Sequence, residues 1–298
     1  MNRPQVKAKY EAALIAAGFI WGTSFVSAKI GVESIDPFLF SFLRFLFASI
    51  LFIIVLLIFG KFDLRLFGDK LIWGIAGFNS VALELQHLGM TMTTATNAVL
   101  LVDINVVFVA ILAFFILSER ITLSVICGLI LGLLGVVVVS TNGDLSLVLS
   151  GSFSGNALVF AAGILWAFYI VYQKKVLMKE IDVLLVTSNV ILATTIILFP
   201  LTLIFVHDYT LNLIGLESSL YTGILCTALA FFLYNFGLRG TGATMASIIL
   251  LLEIVFAMFF AFIVLNEVPS YITLIGGVLI IAAILLVSFK RNENEKGD

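Results

Sequence analysis

Two acidic residues stand near the middle of long hydrophobic segments in this sequence. Asp103 and Glu253 both have runs of apolar residues around them. An ionised side chain at the centre of a bilayer costs about 2.5–3.5 kcal/mol on insertion scales, so such a residue must face protein or water. Two interpretations are open: the carboxyl groups bind a coupling proton or a substrate amine, or they are protonated or hydrogen-bonded packing residues.

Helical spacing decides which polar residues can face one cavity. Asn79 and Gln86 are seven positions apart and share a helix face, with His87 one step further round. These side chains suit a water-filled pathway; the alternative is hydrogen bonding between helices, worth about 0.6 kcal/mol on average. Asp103 and Asn105 are about 200° apart on a regular helix, which predicts that they do not face the same cavity.

Aromatic residues with polar tips recur in two hydrophobic segments. Trp166 and Tyr169 follow helical spacing, and Trp21 with Ser24 begins the same pattern in an earlier segment. Such a stripe can hold an apolar or cationic substrate and offer it a hydrogen bond. The alternative is the belt of Trp and Tyr at membrane interfaces, although Trp21 and Trp166 lie deeper than such a belt.

Taken together, these residues predict a binding site for a small molecule, with no catalytic residue, metal site or cofactor. Cys127 and Cys226 lie within hydrophobic segments, which argues against a disulfide framework or a metal cage. The candidate substrate-binding residues are Trp21, Ser24, Asn79, Gln86, His87, Asn97, Asp103, Trp166, Tyr169, Tyr234, Asn235 and Glu253.

The segments that carry these residues are predicted to be transmembrane helices. Of the residues, 62% are hydrophobic and 11% are charged, which excludes an ordinary soluble domain. A helix needs about 20 apolar residues to span the bilayer core. Ten such runs are present, at 10–32, 37–59, 70–89, 93–117, 121–140, 155–175, 182–206, 218–238, 243–265 and 270–289, numbered here as spans 1 to 10. The predicted fold is an all-α membrane protein.

The second half of the sequence repeats the first. At an offset of 148, Gly89, Thr93 and Glu119 meet Gly237, Thr241 and Glu267; at an offset of 145, Trp21 meets Trp166. Each copy has five spans, an odd number, so the ten transmembrane helices form two inverted five-helix repeats, predicted at residues 1–145 and 146–298. Internal duplication of this kind is typical of secondary transporters, whose binding site lies between the copies.

The positions of the basic residues predict the orientation. With a cytoplasmic N-terminus, all of the sixteen lysines and arginines except Lys29 and Arg44 lie on the cytoplasmic side, where basic loop residues concentrate. Both termini are therefore predicted in the cytoplasm and the protein in the cell membrane. Lys29 and Lys174 are equivalent in the two repeats, and we interpret them as anchors that extend to the membrane interface.

Several motifs resemble one transporter family. The stretch 36–48, the two Ala-Ala-Gly-x-x-Trp segments that end at Trp21 and Trp166, and the two glutamates followed nine residues later by glycine are similar to the drug/metabolite transporter superfamily, EamA type. The resemblance implies a ten-helix carrier with a central cavity lined by spans 1, 3, 4, 6, 8 and 9, which mostly exports amino acids, other metabolites or toxic compounds. The family often has proline in spans 4 and 9, where this chain has Val106 and Ile254.

The sequence thus predicts a secondary transporter, in the export direction, of small organic metabolites such as amino acids, working by alternating access. Its expected partners are the small-molecule substrate, the lipid bilayer and protons as the coupling ion, with no nucleic acid; the chain acts as a monomer or homodimer. The alternative is an intramembrane enzyme acting on a lipid or lipid-linked substrate. Such an enzyme needs paired metal ligands or a nucleophile with its base, and the only histidines are His87 and His207.

Overall fold

A computed structural model describes the backbone of residues 3–63, 65–93, 95–144, 146, 152–207, 209–265 and 270–294. Every regular element in these ranges is helical, and the helices form ten spans in two inverted five-helix repeats, which confirms the predicted fold class. The helices of spans 1 to 10 are Arg3–Ser34; Pro37–Ile58; Lys70–Met92; Ala95–Asp103 with Asn105–Leu117; Leu123–Thr141; Phe153–Leu177; Val183–Phe205; Leu213–Tyr221 with Thr222–Leu229 and Ala230–Gly240; Ala243–Leu250 with Leu252–Leu265; and Tyr271–Asn294.

Span 3 differs from the others in polarity. Within the described ranges, nine helical stretches are long and apolar enough to cross a membrane by composition, and the helix Lys70–Met92 is not among them. Its 23 residues are enough to span a bilayer, but they include Asn79, Glu84 and His87, all of which are buried. A polar helix is stable at this depth because the other spans surround it.

Short polar side chains start most of the helices. The Asp36 carboxylate accepts hydrogen bonds from the Phe38 and Leu39 amides and begins span 2. Asp69, Thr122, Ser152, Asp182 and Asn212 cap the first helices of spans 3, 5, 6, 7 and 8 in the same way. These caps satisfy amide groups that have no partner within the helix, and they fix where each span begins.

Spans 4 and 9 are interrupted at equivalent places although neither contains proline. The breaks fall at Ile104 and at Leu251, where the Val107 amide donates to the Ile104 carbonyl and the Ile254 amide to the Leu251 carbonyl. Each is one tight turn of the 3₁₀ type, a feature that often marks a hinge in a helix. The two breaks are 147 residues apart, which is within one residue of the repeat offset of 148. Both copies of the duplication therefore contain the interruption.

The two halves pack as symmetric partners. Span 1 packs against the last helix of span 8 and against span 9, and span 6 packs against span 3 and span 4 in the equivalent way. Span 2 packs against span 7, and span 5 against span 10. Spans 1, 3, 4, 6, 8 and 9 therefore meet where the repeats face each other.

Charged side chains also cap helices of the opposite half. The Glu119 carboxylate accepts hydrogen bonds from the Ala243 amide at 2.5 Å, the Thr244 amide at 3.2 Å and the Thr244 hydroxyl at 2.9 Å. Span 9 begins after Gly242, which has no side chain to cap it, so a residue at the end of span 4 takes over that role. The repeat partner of Glu119, Glu267, lies outside the described residues.

Lys29 and Lys174 both bind backbone carbonyls at the ends of helices. The Lys174 ammonium group is buried and donates to the carbonyls of Leu238 at 2.8 Å, Arg239 at 3.1 Å and Thr241. Lys29 donates to the Met90 carbonyl at 2.7 Å and pairs with a neighbouring glutamate. The interpretation of Lys174 as an interfacial anchor is therefore wrong. Free carbonyls at the end of span 8 attract its positive charge.

Candidate functional site

A cavity lies where the two repeats face each other, and its empty space, including the part open to solvent, is about 870 Å³. Its walls come from spans 1, 2, 3, 4, 6, 8 and 9. Nine of the predicted substrate-binding residues border it: Trp21, Ser24, Gln86, His87, Asp103, Trp166, Tyr169, Tyr234 and Glu253. The structure thus brings together side chains that are more than two hundred positions apart in the sequence.

The shape of the cavity follows the duplication. At the offset of 145, Trp21 and Ser24 correspond to Trp166 and Tyr169, and all four border the cavity. At the offset of 148, Leu83, Gln86, Val102, Asp103 and Asn105 correspond to Phe231, Tyr234, Leu250, Leu251 and Glu253, and these ten also border it. The cavity therefore lies on the pseudo-two-fold axis that relates the inverted halves.

Asp103 and Glu253 meet in this cavity. Their carboxyl groups interact with each other across the contact between spans 4 and 9. Asp103 is 4% exposed and its Oδ2 atom has no hydrogen-bond partner among the described residues, while Glu253 is half-buried. Two carboxyl groups that interact in a poorly solvated space repel each other when both are ionised.

Asp103 and Asn105 border the same cavity, so the prediction that they face different sides is wrong. That prediction assumed a regular helix. The helix stops at Asp103 and restarts at Asn105, and the tight turn at Ile104 changes the angle between the two residues. The break in span 4 thus brings two polar residues to the cavity.

Aromatic rings cover one part of the wall. The Trp21 ring lies 5.3 Å from both the Phe231 and the Tyr234 rings, measured between centroids, and the Trp166 ring lies 5.4 Å from the Tyr169 ring. Phe231 stands between the two groups, 6.0 Å from Tyr169. Contacts between ring edges and faces hold these side chains rigidly and present an apolar surface with polar tips.

The indole nitrogens are already used within the protein. Trp21 Nε1 donates to the Cys226 carbonyl at 2.7 Å, and Trp166 Nε1 donates to Gln86 Oε1 at 2.9 Å. The hydroxyl group of Tyr234 is buried and has no hydrogen-bond partner in the described part of the chain, while the Tyr169 hydroxyl interacts with the Asn235 side chain. The tryptophans therefore offer ring surface, whereas Tyr234 has a free hydroxyl group.

Two predicted site residues, Asn79 and Asn235, do not border the cavity. Asn79 Nδ2 donates to Thr194 Oγ1 at 3.0 Å, and Asn235 Nδ2 donates to Thr187 Oγ1 at 2.9 Å. Both asparagines join neighbouring spans, which is the alternative role considered for polar residues in this bundle. The Asn97 side chain lies outside the described residues. Helical spacing puts Asn79 on the same helix face as Gln86. Spacing gives no information about the helix opposite, where Thr194 of span 7 accepts the hydrogen bond from Asn79.

The cavity also has polar residues that the sequence did not point to. Arg44, Asn105 and Ser247 border it, with Arg44 buried at 6% exposure. Arg44 belongs to span 2, and its repeat counterpart is the uncharged Asn189. The charge therefore occurs in one copy only, and the duplication does not mark it. The signal that could have found Arg44 is a lone arginine inside a hydrophobic span, which is rare without a function.

A metal centre would require clustered ligands. No group of three or more His, Cys, Asp or Glu side chains within the described ranges is placed to hold a metal ion. Asp103 and Glu253 offer two carboxyl groups only, and His87 Nδ1 shares a hydrogen bond of 2.7 Å with the Ser41 hydroxyl. The cavity offers aromatic surface, carboxyl groups and one guanidinium group, which are groups suited to noncovalent recognition of a small molecule.

Comparison with known proteins agrees with this architecture. A relative from Archaeoglobus fulgidus named "Uncharacterized transporter" is 32% identical over 97% of this chain and all of its own length. YoaV of Bacillus subtilis, also named an uncharacterized transporter, is 26% identical over 94% of this chain and 97% of its own length. A protein of Streptantibioticus cattleyicolor named "Probable terminal-alkyne amino-acid exporter" is 26% identical over 93% of this chain and 92% of its own.

A solved crystal structure has the same fold. It superposes with a TM-score of 0.80 at 17% identity, covering 97% of this chain and 99% of the other. The model of the EamA-like transporter family matches residues 8–141 and again residues 153–289, so the family pattern occurs twice, as the duplication requires. This chain belongs to the EamA-like transporter family, within the drug/metabolite transporter superfamily.

Proposed function

We propose that this protein exports small organic metabolites, such as amino acids, by alternating access across the cell membrane. The observation that carries the proposal is the cavity lined by equivalent residues of two inverted repeats. In carriers built this way, one half rocks against the other around a fixed site, so the outward and inward states exchange the roles of the halves. The matched breaks at Ile104 and Leu251 supply equivalent hinges beside that site.

The choice of substrate class rests on the cavity lining and on one relative. Rings of Trp21, Trp166 and Phe231 suit an apolar side chain, and the neighbouring carboxyl groups suit an amine. The relative named a probable terminal-alkyne amino-acid exporter supports both amino acids and the outward direction.

Proton coupling is part of the proposal. The carboxyl groups of Asp103 and Glu253 lie together at the two helix breaks, where binding or loss of one proton changes the charge between spans 4 and 9. A charge change at a contact that must open and close favours one conformation over the other. The pair is the proposed proton site, and it can also hold the substrate amine.

An intramembrane enzyme has less support. The Ser41 hydroxyl and His87 Nδ1 are 2.7 Å apart, which resembles a nucleophile with its base. However, Ser41 is fully buried and its hydroxyl donates to the Pro37 carbonyl in its own helix at 2.9 Å, so it is not open to a substrate. The relatives described above are named as transporters, which favours transport over catalysis.

Transport is tested with the purified chain in proteoliposomes. Vesicles that contain the protein are loaded with labelled amino acids and then with a broader panel of metabolites, and efflux is compared with efflux from vesicles without protein. We expect saturable efflux and exchange against unlabelled substrate for at least one amino acid. A protein that moves no solute of the panel under any ion or substrate gradient defeats the proposed function.

The proposed working unit is one chain, alone or as a homodimer, because one chain supplies all of the described cavity lining.

The proposed orientation puts both termini in the cytoplasm. Arg120 and Leu211 are exposed in loops predicted on opposite faces. In a background without Cys127 and Cys226, we expect a membrane-impermeant thiol reagent on intact cells to label Leu211→Cys but not Arg120→Cys. Permeabilised cells serve as the control, since both variants should then react. Labelling of both from outside contradicts the inverted arrangement.

A further inference from the structure

Arg44 is a buried cation with no counter-ion among the described residues. Its side chain borders the cavity at 6% exposure, and its only hydrogen bond with the described residues joins Nε to Thr227 Oγ1 at 2.7 Å. No carboxylate in the described part of the chain forms an ion pair with it, and this includes Asp103 and Glu253 in the same cavity. Both terminal nitrogens of the guanidinium group are therefore without an acceptor from those residues.

A buried charge without a partner is costly, and proteins that keep one usually pair it. Arginine is always charged, and its planar head binds a carboxylate through two parallel hydrogen bonds. Because Thr227 holds the Nε atom, the guanidinium group is fixed in direction and its Nη atoms remain available. The geometry is that of an anion-binding residue whose anion comes from outside the protein.

The residues around Arg44 hold its side chain in this orientation. Thr227 lies in the π-helical segment Thr222–Leu229 of span 8, and such segments often occur at functional sites. A methyl group on Gly223, in the same segment, would lie 2.6 Å from the Arg44 carbonyl oxygen, so spans 2 and 8 touch here. The close approach brings Thr227 within reach of the arginine head.

Charge breaks the symmetry of the cavity. The two tryptophans form a matched pair, but the repeat counterpart of Arg44 is Asn189, which donates to the carbonyls of Asp63 and Leu185 and does not border the cavity. The counterparts of Asp103 and Glu253 are uncharged Leu251 and Asn105. The cavity thus has its positive group on span 2 and its carboxyl groups on spans 4 and 9.

We propose that Arg44 binds the carboxylate of the transported substrate, so that the substrate class is zwitterionic and of the amino-acid type. This inference rests on the proposed transport function and adds the residue that selects the anionic end. The substrate amine then faces the carboxyl pair, and its apolar part lies among the rings of Trp21 and Trp166. Arg44 is a binding residue for selection of the substrate.

The test compares an amino acid with molecules that lack its carboxylate. In proteoliposomes containing the wild-type chain, transport of the labelled amino acid that moves fastest is measured against three competitors: the same unlabelled amino acid, its amide and its decarboxylated amine. Loss of charge-assisted hydrogen bonds is expected to weaken competition by the amide and by the amine about tenfold or more. Because this measurement uses the wild-type protein, it does not depend on the folding of a variant.

Variants of Arg44 give the second measurement. Arg44→Gln should weaken binding of the amino acid about tenfold or more and remove the preference over its amide, whereas Arg44→Lys should keep part of that preference. Arg65→Gln is the matched control, since Arg65 is exposed, pairs with Asp63 and lies outside the cavity. Arg65→Gln should leave unchanged both the binding of the amino acid and its preference over the amide.

The outcomes separate this inference from the proposed function. Equal competition by the amino acid, its amide and its amine overturns the role of Arg44 but leaves transport standing, as does a preference that survives Arg44→Gln. Transport restricted to solutes without an anionic group also overturns it. A wild-type protein that moves no solute at all defeats the proposed function instead.

Discussion

Glu253→Gln and Asp103→Asn proteins are expected to lose proton-driven transport while remaining folded. The amides keep the size and hydrogen bonding of the carboxyl groups but cannot bind or release a proton. If one proton is exchanged for each substrate, a pH gradient of one unit supports about tenfold accumulation by the wild-type protein. In the variants this ratio should fall to about one. The measurement is steady-state accumulation of the transported amino acid in proteoliposomes under an imposed pH gradient.

Two comparisons make that result specific. Glu217→Gln is the matched control, because Glu217 is exposed at the start of span 8, away from the cavity, and its replacement should leave accumulation unchanged. The other titratable or charged residues that border the cavity are Arg44, His87, Tyr169 and Tyr234, so the same measurement on His87→Gln asks whether the imidazole contributes. Undiminished accumulation in both carboxyl variants excludes the pair as the proton site.

Gly163→Ala is expected to reduce transport at least tenfold and to destabilise the protein. Span 6 meets the broken span 4 at Gly163, where an added methyl carbon would lie 2.9 Å from the Leu101 carbonyl oxygen and 3.1 Å from that of Val102. These are backbone atoms directly before Asp103, so they cannot move without moving the carboxyl group. Overpacking of this kind costs about 1–3 kcal/mol. Transport rate and the thermal unfolding midpoint in detergent measure the two effects.

Gly74→Ala provides the matched control for this prediction. Gly74 lies in span 3 with no atom within 4 Å of an added methyl carbon, and alanine is better than glycine in a helix by up to about 1 kcal/mol. The control should therefore raise the unfolding midpoint or leave it unchanged, and transport should persist. If Gly163→Ala behaves like Gly74→Ala, span 4 does not pack on span 6 as the structure describes.

A close glycine contact of the same kind occurs in span 1, at Gly22. A methyl carbon at Gly22 of span 1 would lie 2.9 Å from the Glu253 carbonyl oxygen and 2.9 Å from the Phe256 Cβ atom. The contact between spans 1 and 9 thus depends on a glycine just as the contact between spans 6 and 4 does. Both glycines pack beside a helix break, against backbone at or next to a residue of the proposed proton site.

Much of the architecture could be predicted from the sequence because its signals are local. The lengths of the apolar runs determine the spans, since a helix must cover the thickness of the bilayer core. The match of Trp21 with Trp166 and of Glu119 with Glu267 reveals the duplication without any contact information. Five spans in each copy then require inverted halves, and a shared central site follows from that symmetry. The division of the chain at residues 145 and 146 stays a prediction.

Side-chain contacts between distant spans could not be predicted in the same way. Asn79 lies on the same predicted stripe as Gln86, yet Asn79 binds Thr194 of span 7 while Gln86 borders the cavity. Lys174 resembles an interfacial anchor in the sequence, but it binds the carbonyls at the end of span 8. Hydropathy and spacing describe one helix at a time, whereas these interactions depend on which helix lies opposite.

The sequence by itself determined the number of spans, the duplication, the family resemblance and nine of the residues that border the cavity. Only the tertiary structure decided that Asp103 and Asn105 share the cavity, because the turn at Ile104 breaks a helix that the sequence describes as regular. It also decided that Arg44 is buried there and forms no ion pair with a carboxylate in the described part of the chain. Burial, pairing and helix breaks arise from packing among several spans, and no periodicity within one span records them.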